Sequence, residues 1–143
     1  MIRHQYECPM RWSDMDAQGH INNSAFVIYL EQARIDLFFT RAGDAGIGTI
    51  AEGVVVARHE IDYRRPVPYG PRPLRIDLWC SQISGASFTV AYEIFDGEQL
   101  AAQARTVCVP YDLAHGRVRR LSPDERSFIE RYLEQAAGEP AVS

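Results

Sequence analysis

The run from Ser24 to about Ala42 contains neither Gly nor Pro and places apolar residues at Phe26, Val27, Leu30, Ala33, Leu37 and Phe38. That spacing follows the α-helical period. Tyr29, Ile35 and Phe39 widen the apolar surface well beyond one stripe and leave Glu31, Arg34 and Asp36 as the main charges, so the predicted helix needs cover on most of its circumference. Asn22 and Asn23 are suitable N-caps, and Gly43 a C-terminal stop.

The cover is written downstream. After Gly46, Gly48 and Gly53, four strand signals follow. Val54 to Arg65 is halted by Pro66 and the turn-rich Val67-Pro68-Tyr69-Gly70-Pro71. From Leu74 to Ile83, Leu74, Ile76, Leu78 and Cys80 alternate with Arg75, Asp77, Trp79 and Ser81, the period-2 pattern of a strand with one covered face. Phe88, Val90, Tyr92 and Ile94 alternate in the same way, and Asp96-Gly97 is a hairpin signal leading into Gln99 to Pro110. With an earlier strand between Ile2 and Trp12, these predict an antiparallel meander. Ser122-Pro123-Asp124-Glu125 is a capping box that opens a terminal helix to about Ala137, apolar along Phe128, Ile129, Tyr132 and Leu133. The order predicts an α+β fold: a curved antiparallel sheet of about five strands wrapped around one long central helix, plus a C-terminal helix. Residues 1–137 are expected to form a single domain, with a loose tail from Gly138 to Ser143.

Composition narrows the function. A content of 46% hydrophobic and 24% charged residues is that of an ordinary globular protein. Fifteen basic against nineteen acidic residues, a net charge of -4, argue against a nucleic-acid partner. No apolar run approaches the roughly 20 residues of a membrane span, and the first residues are polar, so neither a span nor a signal peptide is expected. Cys8, Cys80 and Cys108 are odd in number, far apart and without CxxC spacing, which fits reduced thiols in the cytoplasm rather than a disulfide framework or a thiolate metal site.

The chemistry is concentrated just before the long helix. Arg11-Trp12-Ser13-Asp14-Met15-Asp16-Ala17-Gln18-Gly19-His20-Ile21-Asn22-Asn23 holds two carboxylates, a His and two amides. A helix start carries unpaired N–H groups and partial positive charge, so it can receive a developing oxyanion while an adjacent carboxylate supplies the other half of a hydrolytic site. Asp14, two residues before Asp16, reads as a loop cap. Three potential ligands on one short loop, without a Cys or HxxxH partner, give little support to a metal. Glu31 and Arg34 have the spacing of a local ion pair, and His4, His59 and His115 read as structural.

With Tyr29-Leu30-Glu31-Gln32-Ala33-Arg34 and Tyr63-Arg64-Arg65-Pro66, the D-x-D-x-x-G-H-x-N-N pattern resembles the 4-hydroxybenzoyl-CoA thioesterase branch of the hotdog superfamily, over roughly residues 3 to 135. The resemblance implies hydrolysis of an acyl-CoA thioester to a free carboxylic acid and CoA. Asp16 would act as nucleophile or general base, and the backbone N–H of Asn23 would hold the carbonyl oxygen. Gly19 would shape the turn, and His20 is read as positioning water, contacting substrate or simply hydrogen-bonding within the loop. Asn22, Arg64 and Arg65 would bind substrate, the two arginines at the CoA phosphates, within a basic edge that includes Arg58, Arg72 and Arg75. No metal or organic cofactor is implied, since coenzyme A arrives with the substrate. Self-association as a dimer or tetramer is implied as well. Benzoyl-type members often carry an aromatic residue near the position of Asn22 and Asn23, so aromatic substrates are not favoured over aliphatic ones here. Thioesters of an acyl carrier protein, or acyl-CoA binding without catalysis, are the competing readings. A hydratase would carry its catalytic residues in a different motif.

Overall fold

The computed structural model describes residues 2–47, 50 and 53–135. Asn22 caps the long helix, its side-chain oxygen accepting the Ser24 N–H at 3.0 Å, and α1 (Asn23–Ile35) starts there. Ala25, Tyr29, Ala33 and Leu37 form one buried row and Phe26, Leu30, Phe38 and Ala42 a second, all stepped by multiples of four. A step of four outruns a turn of about 3.6 residues, so these rows would wind away from the sheet. A π-helical turn, Asp36–Arg41, winds them back before a last α turn, Ala42–Asp44. The helix passes through Gly43, the expected stop, and the chain leaves it at Gly46, where φ is 79° and the N–H groups of Gly46 and Ile47 close onto the carbonyls of Gly43 and Ala42.

The strands are β1 (His4–Cys8), β2 (Val54–Tyr63), β3 (Leu74–Ile83), β4 (Phe88–Asp96), β5 (Gln99–Asp112) and a short β6 (Arg117–Val118) that no sequence signal marks. They lie in the order β1-β3-β4-β5-β2, with β6 on β5, and every strand pair is antiparallel. β3, β4 and β5 form the expected meander. β2 does not join it at β3: it pairs with β5, Val54 opposite Pro110 and Tyr63 opposite Ala102. The connection from Arg64 to Pro73 holds four prolines and is too long for a tight hairpin, so it carries the chain across to the far edge.

The inner face of the sheet meets α1 through Leu74, Ile76, Leu78, Phe88, Val90 and Ile94, each at most 1% exposed. Two residues of the outer face, Asp77 and Trp79, are buried too, because Arg75 lies 3.2 Å from the Asp77 carboxylate and the Arg3 guanidinium sits 3.9 Å over the Trp79 ring. The sheet covers only one side of α1. Val27, Ile28, Ile35 and Phe39 stay exposed, contrary to the expectation of a mostly enclosed helix; Ile35 and Phe39 line one pocket with Val54 and Val56 of β2, whose outer edge is unpaired among the described residues, and Ile28 lies beside Tyr6 and Cys8 of β1.

The terminal helix α2 (Pro123–Glu130) opens with the expected capping box but stops well before Ala137. β1 pairs with β3 only from Leu74 to Leu78, which leaves the backbone of Cys80 to be satisfied. Residues 131–134 turn back to do so: the Cys80 N–H donates to Tyr132 at 2.8 Å, and the Glu134 N–H donates to Cys80 at 2.7 Å. The expected tail from Gly138 to Ser143 lies outside the described residues.

All three cysteines are free and buried. Burial pushes the thiols of Cys8 and Cys108 up to about 12 and that of Cys80 to about 11. A colourless-to-yellow disulfide reagent at pH 8 is therefore expected to find no reactive thiol in the native protein and all three after unfolding in guanidinium. Rapid native reaction would show that one of these side chains reaches solvent.

Candidate active site

Between β1 and α1 the chain closes on itself through a bridge between Met15 and Ile21, with Gly19 at φ 78° making the left-handed turn that a side chain would strain. Asp16 organises the inside of this turn. Its N–H donates to the His20 carbonyl at 2.7 Å, while its Oδ1 accepts the N–H groups of Gln18 at 2.9 Å and His20 at 3.2 Å. Oδ2 makes no hydrogen bond among the described residues, and the side chain is exposed. One carboxylate oxygen thus holds the loop in shape and the other is available for chemistry.

Two neighbouring segments hold the loop. Towards the Pro66–Tyr69 stretch, Ile21 donates to Val67 at 2.7 Å and Tyr69 to Gly19 at 3.1 Å. Towards the helix, Asp14 is the anchor, 5% exposed, receiving the Tyr29 hydroxyl at 2.6 Å and Arg11 Nη2 at 2.8 Å. Its backbone carbonyl accepts the Asn22 N–H at 2.8 Å, which sets the helix start beside the loop. Burial alone would raise the Asp14 carboxyl, but the hydrogen bonds from Arg11 and Tyr29 outweigh it and hold the group below the ordinary carboxylate value. The cap expected of Asp14 is present: its side chain accepts the Arg11 N–H.

A cleft of about 290 Å³ opens over this arrangement, lined by Asp16, His20, Asn23, Tyr63, Arg64 and Arg65 among others. Five of the seven residues singled out from the sequence meet there. Gly19 and Asn22 stand behind it, Gly19 as the turn and Asn22 with its side-chain oxygen committed to Ser24. The Asn23 N–H, first in the helix, has no hydrogen-bond partner among the described residues. The two arginines also differ from their basic neighbours. Arg58 pairs with Glu60, Arg72 with Asp96 and Arg75 with Asp77, whereas among the described residues the guanidinium groups of Arg64 and Arg65 donate to the neutral side chains of Gln103 and Gln99.

Two tyrosines in the quoted motifs hold positions that the sequence reading misses. Tyr29 is the partner of Asp14, and Tyr63 donates its hydroxyl to the Asn23 carbonyl at 2.9 Å while packing edge-on against Phe26. A tyrosine's hydroxyl partner depends on which elements the fold brings opposite it, so neither role could be read from spacing. The expected Glu31–Arg34 ion pair does not form. Arg34 turns under the helix to the hydroxyls of Tyr92 and Thr106, because the sheet offers buried oxygen acceptors on that side. His4 bonds Asp36, His59 bonds Thr106 and His115 bonds Asp112. Among the described residues there is no group of three His, Cys, Asp or Glu side chains that could hold a metal, and no helix is long and apolar enough to cross a membrane.

Residues 10–129 match the thioesterase-like superfamily. The chain belongs to this superfamily. A thioesterase from Thermus thermophilus, whose crystal structure is complexed with coenzyme A and Zn, is 27% identical, covers 95% of each chain and superposes with a TM-score of 0.77. Two further structures share the fold. A predicted thioesterase from Bacillus stearothermophilus has a TM-score of 0.82 at 24% identity, over 95% of this chain and 100% of the other. A 1,4-dihydroxy-2-naphthoyl-CoA thioesterase from Synechocystis has a TM-score of 0.74 at 22% identity, over 89% and 95%. Comparison with curated proteins gives no match.

Proposed function

We propose that this thioesterase-superfamily member hydrolyses acyl-CoA thioesters, within the 4-hydroxybenzoyl-CoA thioesterase branch, using Asp16 as its catalytic carboxylate. The observation that carries the reading is the shared cleft, where a carboxylate oxygen without a partner, an unpaired helix-start N–H and two arginines without acid partners stand together. The Asn23 N–H would receive the carbonyl oxygen as it gains negative charge, with the helix dipole adding to the attraction. Asp16 Oδ2 would then attack the carbonyl carbon and expel CoA thiolate, leaving a mixed anhydride for water to cleave. Alternatively it would take a proton from water that attacks in its place. Both routes end in a carboxylic acid and CoA, and neither calls for a metal or organic cofactor. His20 lines the same cleft and would position water or contact substrate. Arg64 and Arg65 would meet CoA phosphates, for which the guanidinium fork is suited.

The free edge of β2 and the apolar residues exposed beside it support self-association, since an unpaired edge is a ready template for a second copy. The three buried thiols fit a protein working in the cytoplasm.

The test is release of CoA thiol from short, medium, long and aromatic acyl-CoAs. Turnover of at least one class is expected. Binding of acyl-CoA without any thiol release would overturn the enzyme reading in favour of an acyl-CoA sensing module.

A further inference from the structure

A second pocket, of about 230 Å³, lies between α1 and β2, at the other end of the seam from the cleft. Its walls are apolar, with Ile35, Phe38 and Phe39 on the helix side and Val54 and Val56 on the strand side. Arg34 and Glu31 also line it. The seam has a direction: Tyr63 of β2 meets Asn23 at the helix start, so the strand runs back along the helix towards its C-terminal half. Two rulers give the distance. Glu31 is eight residues beyond Asn23, about 12 Å at the helical rise, and His59 is four residues before Tyr63, about 13 Å at the strand rise. An arginine side chain on a helix leans towards the N-terminus, so the Arg34 head group falls near the same level.

Among the described residues Arg34 is a cation without an acid partner. Nη1 donates to the Tyr92 hydroxyl at 3.1 Å and reaches Thr106 Oγ1 at 3.5 Å, while Nε and Nη2 make no hydrogen bond among the described residues. Tyr92 in turn donates to Thr106 at 2.8 Å. The single Thr106 hydroxyl proton is left for His59 Nδ1, 2.9 Å away, which places the imidazole proton on Nε2. Burial first, and the Arg34 charge second, hold His59 below its ordinary value, so the imidazole stays neutral beside the guanidinium. The hydroxyls of Tyr92 and Thr106 are thus engaged with one another, and the remaining donors of the half-buried Arg34 are served by solvent in the open pocket; an acyl chain that fills the pocket displaces that solvent and leaves them unpaired unless it brings an acceptor.

We propose that this pocket receives the far end of the acyl group and that Arg34 selects chains ending in an oxygen acceptor, a hydroxyl or a carboxylate, over chains ending in methyl. The inference rests on the thioesterase reading, which places the reacting carbonyl at Asn23. An acetyl group does not span the distance to Arg34, whereas an extended chain of medium length does. A site built around a donor rejects the analogue that leaves it unpaired more strongly than an apolar slot distinguishes one methylene.

The experiment compares kcat/KM for decanoyl-CoA, ω-hydroxydecanoyl-CoA and the mono-CoA thioester of the ten-carbon dicarboxylic acid, in the wild type, Arg34→Met and Arg34→Lys. The wild type is expected to favour an oxygen-ended chain over decanoyl-CoA by about 10- to 100-fold, the value of one hydrogen bond to a charged group. Arg34→Met is expected to bring that ratio to about one, with Arg34→Lys intermediate. Glu31, at the same pocket, disfavours an anion, so the order of the hydroxyl and carboxylate chains identifies which acceptor the site takes. The ratio is internal to each variant, so a general loss of active protein cancels. A wild-type ratio of one or less, or an unchanged ratio in Arg34→Met, would overturn the proposal. If no substrate releases thiol, calorimetric binding of thioether analogues with the same three ends reads the same ratio. Absent hydrolysis then counts against the thioesterase reading, and equal affinities count against the role of Arg34.

Discussion

Asp16→Asn is expected to lower CoA release by about 100- to 10,000-fold, the range associated with loss of a positioned acid–base group. Asparagine is the informative substitution because of how the loop is built. Asp16 Oδ1 accepts the Gln18 and His20 N–H groups, and an amide oxygen in the same place continues to do so. The turn is kept while the second carboxylate oxygen becomes an amide that neither attacks a carbonyl nor accepts a proton. Asp16→Ala removes the loop bonds as well, so it is expected to lose at least as much activity and some stability. Acyl-CoA affinity in Asp16→Asn, measured by calorimetry, should change by less than about threefold if the arginines and helix start carry binding. A variant that keeps more than a tenth of wild-type kcat would remove Asp16 from the chemistry and leave it as a turn residue.

Asp14→Ala is expected to destabilise the protein by about 2–4 kcal/mol, because it removes charge-assisted bonds and strands a buried tyrosine hydroxyl. Tyr29 is 2% exposed and its hydroxyl is 2.6 Å from Asp14, so the substitution takes away the protein acceptor of a buried group. Activity should fall with it, since Asp14 ties the Asp16 loop to the helix that supplies the Asn23 N–H. Tyr29→Phe, which removes only the donor, should cost less. The pH dependence carries the same signature. The folded Asp14 carboxyl is held below its ordinary value, so its contribution is complete above about pH 4 and lost as the pH falls through that value towards the lowered one. Urea midpoints between pH 3 and pH 7 should therefore show a shallower acid decline in Asp14→Ala than in the wild type. A stability within about 0.5 kcal/mol of wild type would show that the loop is anchored elsewhere, through Val67 and the Pro66–Tyr69 stretch.

How much was legible in advance follows from the range of each interaction. The helix start at Asn22, the positions of β3 and β4, the hairpin at Asp96-Gly97 and the Ser122 capping box are settled by residues within a few positions of one another, and each stands where the sequence places it, although the outer face of β3 is covered at Asp77 and Trp79 by distant arginine contacts. The site loop was legible for the same reason: carboxylate, left-handed Gly19 and helix cap follow one another in a single short segment. The misses required distant partners. β2 chose β5 over β3, the chain after Glu130 left the helix to satisfy Cys80, and the buried rows of α1 drew a π-helical turn that no local signal marks.

The amino-acid order alone determined where the long helix and the five main strands lie and that a carboxylate loop opens onto a helix start. These depend on periodicity and capping, which act over a turn or two of chain. Only the tertiary structure decided that Arg64 and Arg65 donate to glutamines and have no acid partner among the described residues, that Tyr29 and Asp14 bind the loop to the helix, and that Arg34 bonds Tyr92 and Thr106 in place of Glu31. The physical reason is that a charged or hydroxyl side chain takes its partner from whatever the packed fold places within about 3 Å of it, and sequence separation does not encode that distance.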